Sequence, residues 1–229
     1  MKSTQRTQAL AAGISLIIMA LLAAFSYGYV LSGIEVQNDP AATFKQLVTR
    51  ASIFKAGLGG WVFIFLTDLI VTISLYLFFS ETRKRLSLIT AAARLAYTAI
   101  LGVALIRLFS ILPLLGEQGV EATFAGRQVL SLLESFDTIW SMGLIIFGVH
   151  LLGLGYLSIL KLQVPALLGY LLLLAGLGYI GIPILENFTG MNESMVSMLE
   201  KVLMAPMAAG EILLAFWLII RGGRGKSYP

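Results

Sequence analysis

Long apolar runs, broken by short polar stretches, organise this chain. The runs lie at 8–32, 53–79, 87–114, 129–160, 165–185 and 203–220. Each is near or above the about 20 residues that a membrane-spanning helix needs. The interruptions are "GIEVQNDPAATFKQLVTR", "SETRKR", "GEQGVEATFAGR", "KLQVP" and "ENFTGMNESMVSMLEK". Asn38-Asp39-Pro40 is a turn or helix-start signal, and "AATFKQLV" after it reads as a short interfacial helix. Pro165 sits just inside the start of its helix, where a missing N–H costs little. The first run has the basic start and apolar middle of a signal peptide. It continues to about Leu31, however, long enough to span, and reads as the first transmembrane helix. The pattern predicts an all-α polytopic transmembrane bundle of about six helices, with 1–229 forming a single integral membrane domain. No internal repeat stands out.

Composition agrees with the pattern. Of 229 residues, 58% are hydrophobic and 12% charged, against about 45–50% apolar and about 25% charged in soluble domains. With no cysteine, disulfides, iron–sulfur clusters and Cys-ligated zinc are excluded. The formal charge of +4 is first a topology signal. With the amino terminus inside, Lys2, Arg6, Arg83, Lys84, Arg85, Lys161, Arg221, Arg224 and Lys226 all fall inside. Lys45, Arg50, Lys55, Arg127 and Lys201 fall outside. The bias places both termini in the cytoplasm and the chain in the inner (plasma) membrane. Asn187-Phe188-Thr189 and Asn192-Glu193-Ser194 spell glycosylation acceptors, which matter only in a secretory pathway that glycosylates.

With Lys55, at the outer end of its run, counted among the loop charges, seven acids, arginines and histidines remain inside the apolar runs: Asp68, Arg94, Arg107, Glu134, Asp137, His150 and Glu211. A charge at the bilayer centre costs about 2.5–3.5 kcal/mol on the insertion scale, so such residues face the bundle interior and pair, or line a wet cavity. At about 1.5 Å per residue, depth sorts them into two layers. Arg107, Glu134, Asp137 and Glu211 form the outer layer, and Asp68, Arg94 and His150 the inner one. Glu134 and Asp137 share one helix face, and Arg107 is the obvious cation between them. Four acids against two arginines leave an excess of negative charge. Protons, a bound cation, water or a wet position for Glu134 must balance it.

"GLGYIG" at 176–181 spells the G-x-G-x-x-G dinucleotide fingerprint, which has meaning only between a strand and a helix of a βαβ unit. No strand precedes it, so no NAD or FAD is expected. Gly153, Gly155, Gly176, Gly178 and Gly181 instead read as helix-packing positions, since small residues let backbones approach in lipid. Trp61, Tyr29, Tyr76, Tyr156 and Trp217 read as interfacial aromatics, and Trp140 as a packing residue. No metal site is expected, because zinc needs more ligands than one histidine and HExxH is absent. Nucleic-acid binding lacks a soluble basic face.

Several stretches resemble, together and in order, the bacterial six-helix membrane family named domain of unknown function 4386. They are "DLIVTISLYLFF", "RLSLITAAARLAYTAILG", "IIFGVHLLGLGYL", "PALLGYLLLLAGLGYI" and "GEILLAFWLIIRG". The resemblance runs from about residue 8 to about 222. It implies Asp68 in the second helix, Arg94 in the third, His150 after an "FFG"-like run and Glu211 before the last aromatic stretch. "IFG" stands here where a double Phe is usual. The resemblance implies the fold and membrane placement, and no activity or cofactor.

Three functions compete. The first is a polar intramembrane site for a small ligand, lipid or ion. The second is an accessory or scaffold subunit of a larger membrane complex, with structural charge pairs. The third is an intramembrane enzyme or haem protein using His150, though no composition feature favours catalysis. The expected partners are the lipid bilayer and other membrane subunits.

Overall fold

The computed structural model describes residues 2–36, 39–116, 121–188 and 193–224. They form an all-α structure, with no strand among the described residues. Helix α1 (Lys2–Ala23) passes into a π-helical stretch, Ala24–Leu31. Helices α2 (Pro40–Thr49), α3 (Ala51–Phe109), α4 (Ala122–Leu160), α5 (Ala166–Phe188) and α6 (Glu193–Ile220) follow, with a 3₁₀ turn at Leu112–Leu115. The Asp39 side chain accepts from the Ala42 N–H at 2.9 Å and Pro40 opens α2, the usual division of labour at a helix start. Asn38 and 189–192, which include parts of both glycosylation patterns, lie outside the described residues.

Five helices are long and apolar enough to cross a membrane: Thr4–Leu31, Ala51–Leu115, Ala122–Leu160, Ala166–Leu185 and Lys201–Ile220. The second, of 65 residues, covers two of the six apolar runs. "SETRKR" is not a loop between them but a single non-helical residue, Arg83 (φ −149°, ψ 97°), inside α3. The arms 51–82 and 84–109 then turn back on one another. Ser87 donates to the Tyr76 carbonyl at 2.9 Å, Arg94 reaches Asp68, and Gly102 lies under the Phe65 ring. Each pair is centred near residue 82, the signature of an antiparallel hairpin.

Helices α4 and α6 start at Ala122 and Glu193, earlier than the apolar runs at 129 and 203. Hydropathy marks what suits hydrocarbon, whereas helical hydrogen bonds continue through polar residues beyond it. Pro183 lies inside α5.

Two compact units are present. The first comprises Met1–Ile17, Thr67–Thr98 and Ser141–Pro229, and the second Ile18–Leu66 and Ala99–Trp140. In the first, α4 and α5 meet through glycine pairs. A Cβ at Gly155 would stand 2.7 Å from the Gly169 carbonyl oxygen, and one at Gly176 2.8 Å from that of Gly148. The pairs 148·176 and 155·169 repeat seven residues apart in opposite directions, which defines an antiparallel close approach. Gly153 packs instead on Thr90, and Gly178 on Met207. Gly181 does not join these contacts: apart from its chain neighbours and its own helix backbone, no described atom lies within 4 Å of where its Cβ would be. All three fingerprint glycines are interior to α5.

The second unit is built on aromatics. Trp61 is 2% exposed and lies edge-on to Phe136 at 5.2 Å and to Trp140 at 5.5 Å. Tyr27 lies 4.9 Å from Trp140. Trp61 is therefore a core residue, not an interfacial one.

Candidate functional site: a buried Asp–Arg–His network

The first unit holds a polar network in its core. Thr90, Arg94 and Thr98, four residues apart on the second arm of α3, share one face. Asp68 meets them from the first arm and His150 from α4. Asp68 is 0% exposed, and Arg94, Thr98 and His150 are each 1% exposed. Arg94 Nε and Nη2 donate to Asp68 Oδ1 at 2.8 and 2.5 Å. The Thr98 hydroxyl donates to Asp68 Oδ2. Arg94 Nη1 lies 3.1 Å from His150 Nε2, and His150 Nδ1 lies 2.8 Å from the Thr90 carbonyl oxygen. The guanidinium carbon stands 5.3 Å from the centre of the Phe147 ring, one helical turn from His150.

Donor rules fix the histidine. A guanidinium only donates and a carbonyl only accepts. Nε2 must therefore be the acceptor and Nδ1 must carry the hydrogen, so His150 is neutral in this geometry. Both ring nitrogens are occupied, and a role as metal ligand or general base would require giving up one hydrogen bond. Among the described residues, no group of three or more histidines and acids is placed to hold a metal ion.

Charge balance is then simple. Asp68 and Arg94 cancel and His150 is neutral. Arg94 has five N–H donors, of which these contacts use three. Glu211, half-buried on α6, lies within electrostatic reach of Arg94 and Asp68. It forms no hydrogen bond or ion pair among the described residues. It also faces Tyr179, whose neighbour Phe147 lies 5.4 Å away, ring to ring.

Beside His150, a cavity of about 10 Å³ is bounded in part by Thr72, Ser87, Thr90 and Leu154. That is room for about one water molecule. Thr90 Oγ1 is buried there with no hydrogen-bond partner among the described residues. Thr72 and Ser87 already donate to the carbonyls of Asp68 and Tyr76.

The seven titratable residues thus separate. Asp68, Arg94 and His150 come together, and Glu211 joins them rather than an outer layer. Arg107, Glu134 and Asp137 belong to the second unit and are exposed. Arg107 pairs with neither acid, and Asp137 instead faces Glu35, a like charge. Thr98 and Phe147 escaped sequence reading because uncharged residues raise no alarm in an apolar run. The four-residue step from Arg94 to Thr98 was the available signal.

Comparison with known proteins gives the context. The model of the family described as domain of unknown function (DUF4386) matches residues 11–222. The chain belongs to that family. One curated relative of this chain, an uncharacterized protein of Archaeoglobus fulgidus, is 29% identical over 163 residues. That alignment covers 71% of this chain and 82% of the archaeal protein. No solved structure matches.

Proposed function

We propose that this DUF4386 protein crosses the membrane six times, with both termini cytoplasmic, and holds a polar intramembrane site for a small ligand, lipid or ion. The site is formed by Asp68, Arg94, His150 and Glu211. One observation carries this reading. Glu211 is a carboxylate beside a pair that is already neutral, and it has no partner among the described residues. A carboxylate in a low-dielectric interior must be matched by a proton, a cation or water. The unbalanced charge therefore favours a cationic occupant, a metal cation or a proton.

The test uses purified protein in lipid nanodiscs. Thermal unfolding is followed while sodium replaces N-methylglucamine at fixed ionic strength, and again while pH moves between mildly acidic and neutral. The wild type should respond to at least one change, and Glu211→Gln to neither. Identical responses in the two proteins would sink the site. A reporter fused after Pro229 should appear on the cytoplasmic side, and a periplasmic signal would reverse the orientation.

A second reading has its own support. The Asp68–Arg94 pair is complete without any ligand, and it ties the two arms of α3 in one register. That suits an accessory or scaffold subunit. Purification in mild detergent followed by mass spectrometry decides it, because a stable monomer without partners excludes that role.

A further inference from the structure

One end of the first unit gathers the helix ends that carry cations. The Arg6 guanidinium donates to the carbonyls of Leu218, Gly222 and Ile219 at 3.1, 2.8 and 2.5 Å, closing the end of α6. Gly223, at φ 68°, lets the chain leave α6 against the Arg6 backbone. Gln5 donates to Glu81, next to the break at Arg83. Lys161, in the turn after α4, donates to the Phe78 carbonyl at 3.1 Å in the last turn of the first α3 arm. Arg6 and Lys161 are therefore engaged by carbonyls at helix C-terminal ends, where cations are favoured.

Five further cations are not so engaged. Arg83, Lys84, Arg85, Arg221 and Arg224 are all exposed, and none of their side chains has an ion-pair or hydrogen-bond partner among the described residues. Arg224 lies within electrostatic reach of Arg6, which ties the α6 end to this cluster. Glu81 is the carboxylate that the described contacts place here. Within the same turn as Lys161, Leu162 is 98% exposed.

We infer that this end binds the phosphate headgroups of anionic phospholipids, with Leu162 entering the boundary between headgroups and acyl chains. The inference rests on the membrane reading above. Unpaired cations beside the ends of apolar spans face the headgroup layer, where each contributes about fivefold to anionic-lipid affinity. A fully exposed leucine among them suits a lipid surface, not a nucleic acid.

The experiment extracts the protein from vesicles containing equal phosphatidylglycerol and phosphatidylcholine, and counts retained lipids by native mass spectrometry. The wild type should retain phosphatidylglycerol preferentially. The exposed triple variant R83Q/K84Q/R85Q should lose that preference about tenfold, less than the full product of three cations because salt screens exposed charges. Arg107→Gln, in the second unit, should keep it. Equal retention of the two lipids, an unchanged triple variant, or an equal loss in Arg107→Gln would each overturn the inference. Failure of the membrane reading looks different: alkaline carbonate would then strip the protein from the vesicles.

Discussion

Replacing Asp68 by Asn tests the network most directly. The change keeps the side chain's shape and removes its charge. Arg94, 1% exposed, is then a buried cation without its hydrogen-bonded counter-ion, since Glu211 lies within electrostatic reach but makes no ion pair with it among the described residues. Removing one partner of a buried ion pair costs about 3–5 kcal/mol. That is roughly two to three and a half powers of ten in the folded-to-unfolded ratio. Interhelical hydrogen bonds in membranes average only about 0.6 kcal/mol, so a loss of this size separates charge pairing from hydrogen bonding. The assay is reversible unfolding of protein in dodecyl maltoside by increasing dodecyl sulfate, followed by far-ultraviolet circular dichroism. Asp68→Leu combined with Arg94→Met should recover most of the loss, because replacing a whole buried pair by apolar groups is often neutral. The double-mutant cycle would then show a coupling of about 3 kcal/mol or more. A loss below about 1 kcal/mol for Asp68→Asn, or a double variant as unstable as the two single losses added, would refute a desolvated pair.

Three other outcomes follow from particular contacts. The ¹⁵N spectrum of the single histidine should show a protonated Nδ1 and a bare Nε2 at neutral pH; the opposite tautomer would break the Arg94 contact. Gly155→Ala should destabilise by about 1–3 kcal/mol by overpacking against the Gly169 backbone. Gly178→Ala should be near neutral, since its nearest neighbour is the flexible Met207 thioether; equal effects in chemical unfolding would deny the α4–α5 glycine contact. Burial holds the Lys161 ammonium below its ordinary 10.5, partly offset by Glu81. The unfolded chain then binds that proton more tightly, so stability should rise as pH climbs through the folded value towards 10.5. Lys161→Met should lose this rise, and parallel stability–pH curves for the two proteins would disprove it.

Hydropathy located the long apolar helices and a depth ruler found the inner layer, because a helix advances by a fixed rise per residue. Asp68, Arg94 and His150 were therefore legible as neighbours in depth. The ruler says nothing about which way a side chain points around its helix. Arg107, Glu134 and Asp137 share a depth range, yet they are exposed and unpaired with one another. Glu211 lies near Arg94 and Asp68 rather than in the outer layer, because depth on one helix does not reveal which charges on others it faces. The single-residue break at Arg83 was visible as "SETRKR", although hydropathy could not tell a loop from a dihedral change. The π-helical stretch at Ala24–Leu31 had no signal in an apolar run, because it changes hydrogen-bond spacing, not polarity. Thr98 was hidden because a hydroxyl carries no charge.

The Asp68–Arg94 pair cannot by itself decide between a scaffold and a binding protein, since a neutral, satisfied pair serves either. Glu211 can. If the pair sets the register of α3 and Glu211 holds the occupant, the two kinds of variant must behave differently. Asp68→Asn and Arg94→Gln should lose stability whatever the solution contains, because each leaves a buried charge without its hydrogen-bonded partner inside the fold. Glu211→Gln removes a charge that has no hydrogen-bond or ion-pair partner among the described residues, so it should keep or gain stability while losing the response to cations or protons. Buried charges that all served packing would show no such split, because Glu211→Gln would then leave every measured response unchanged.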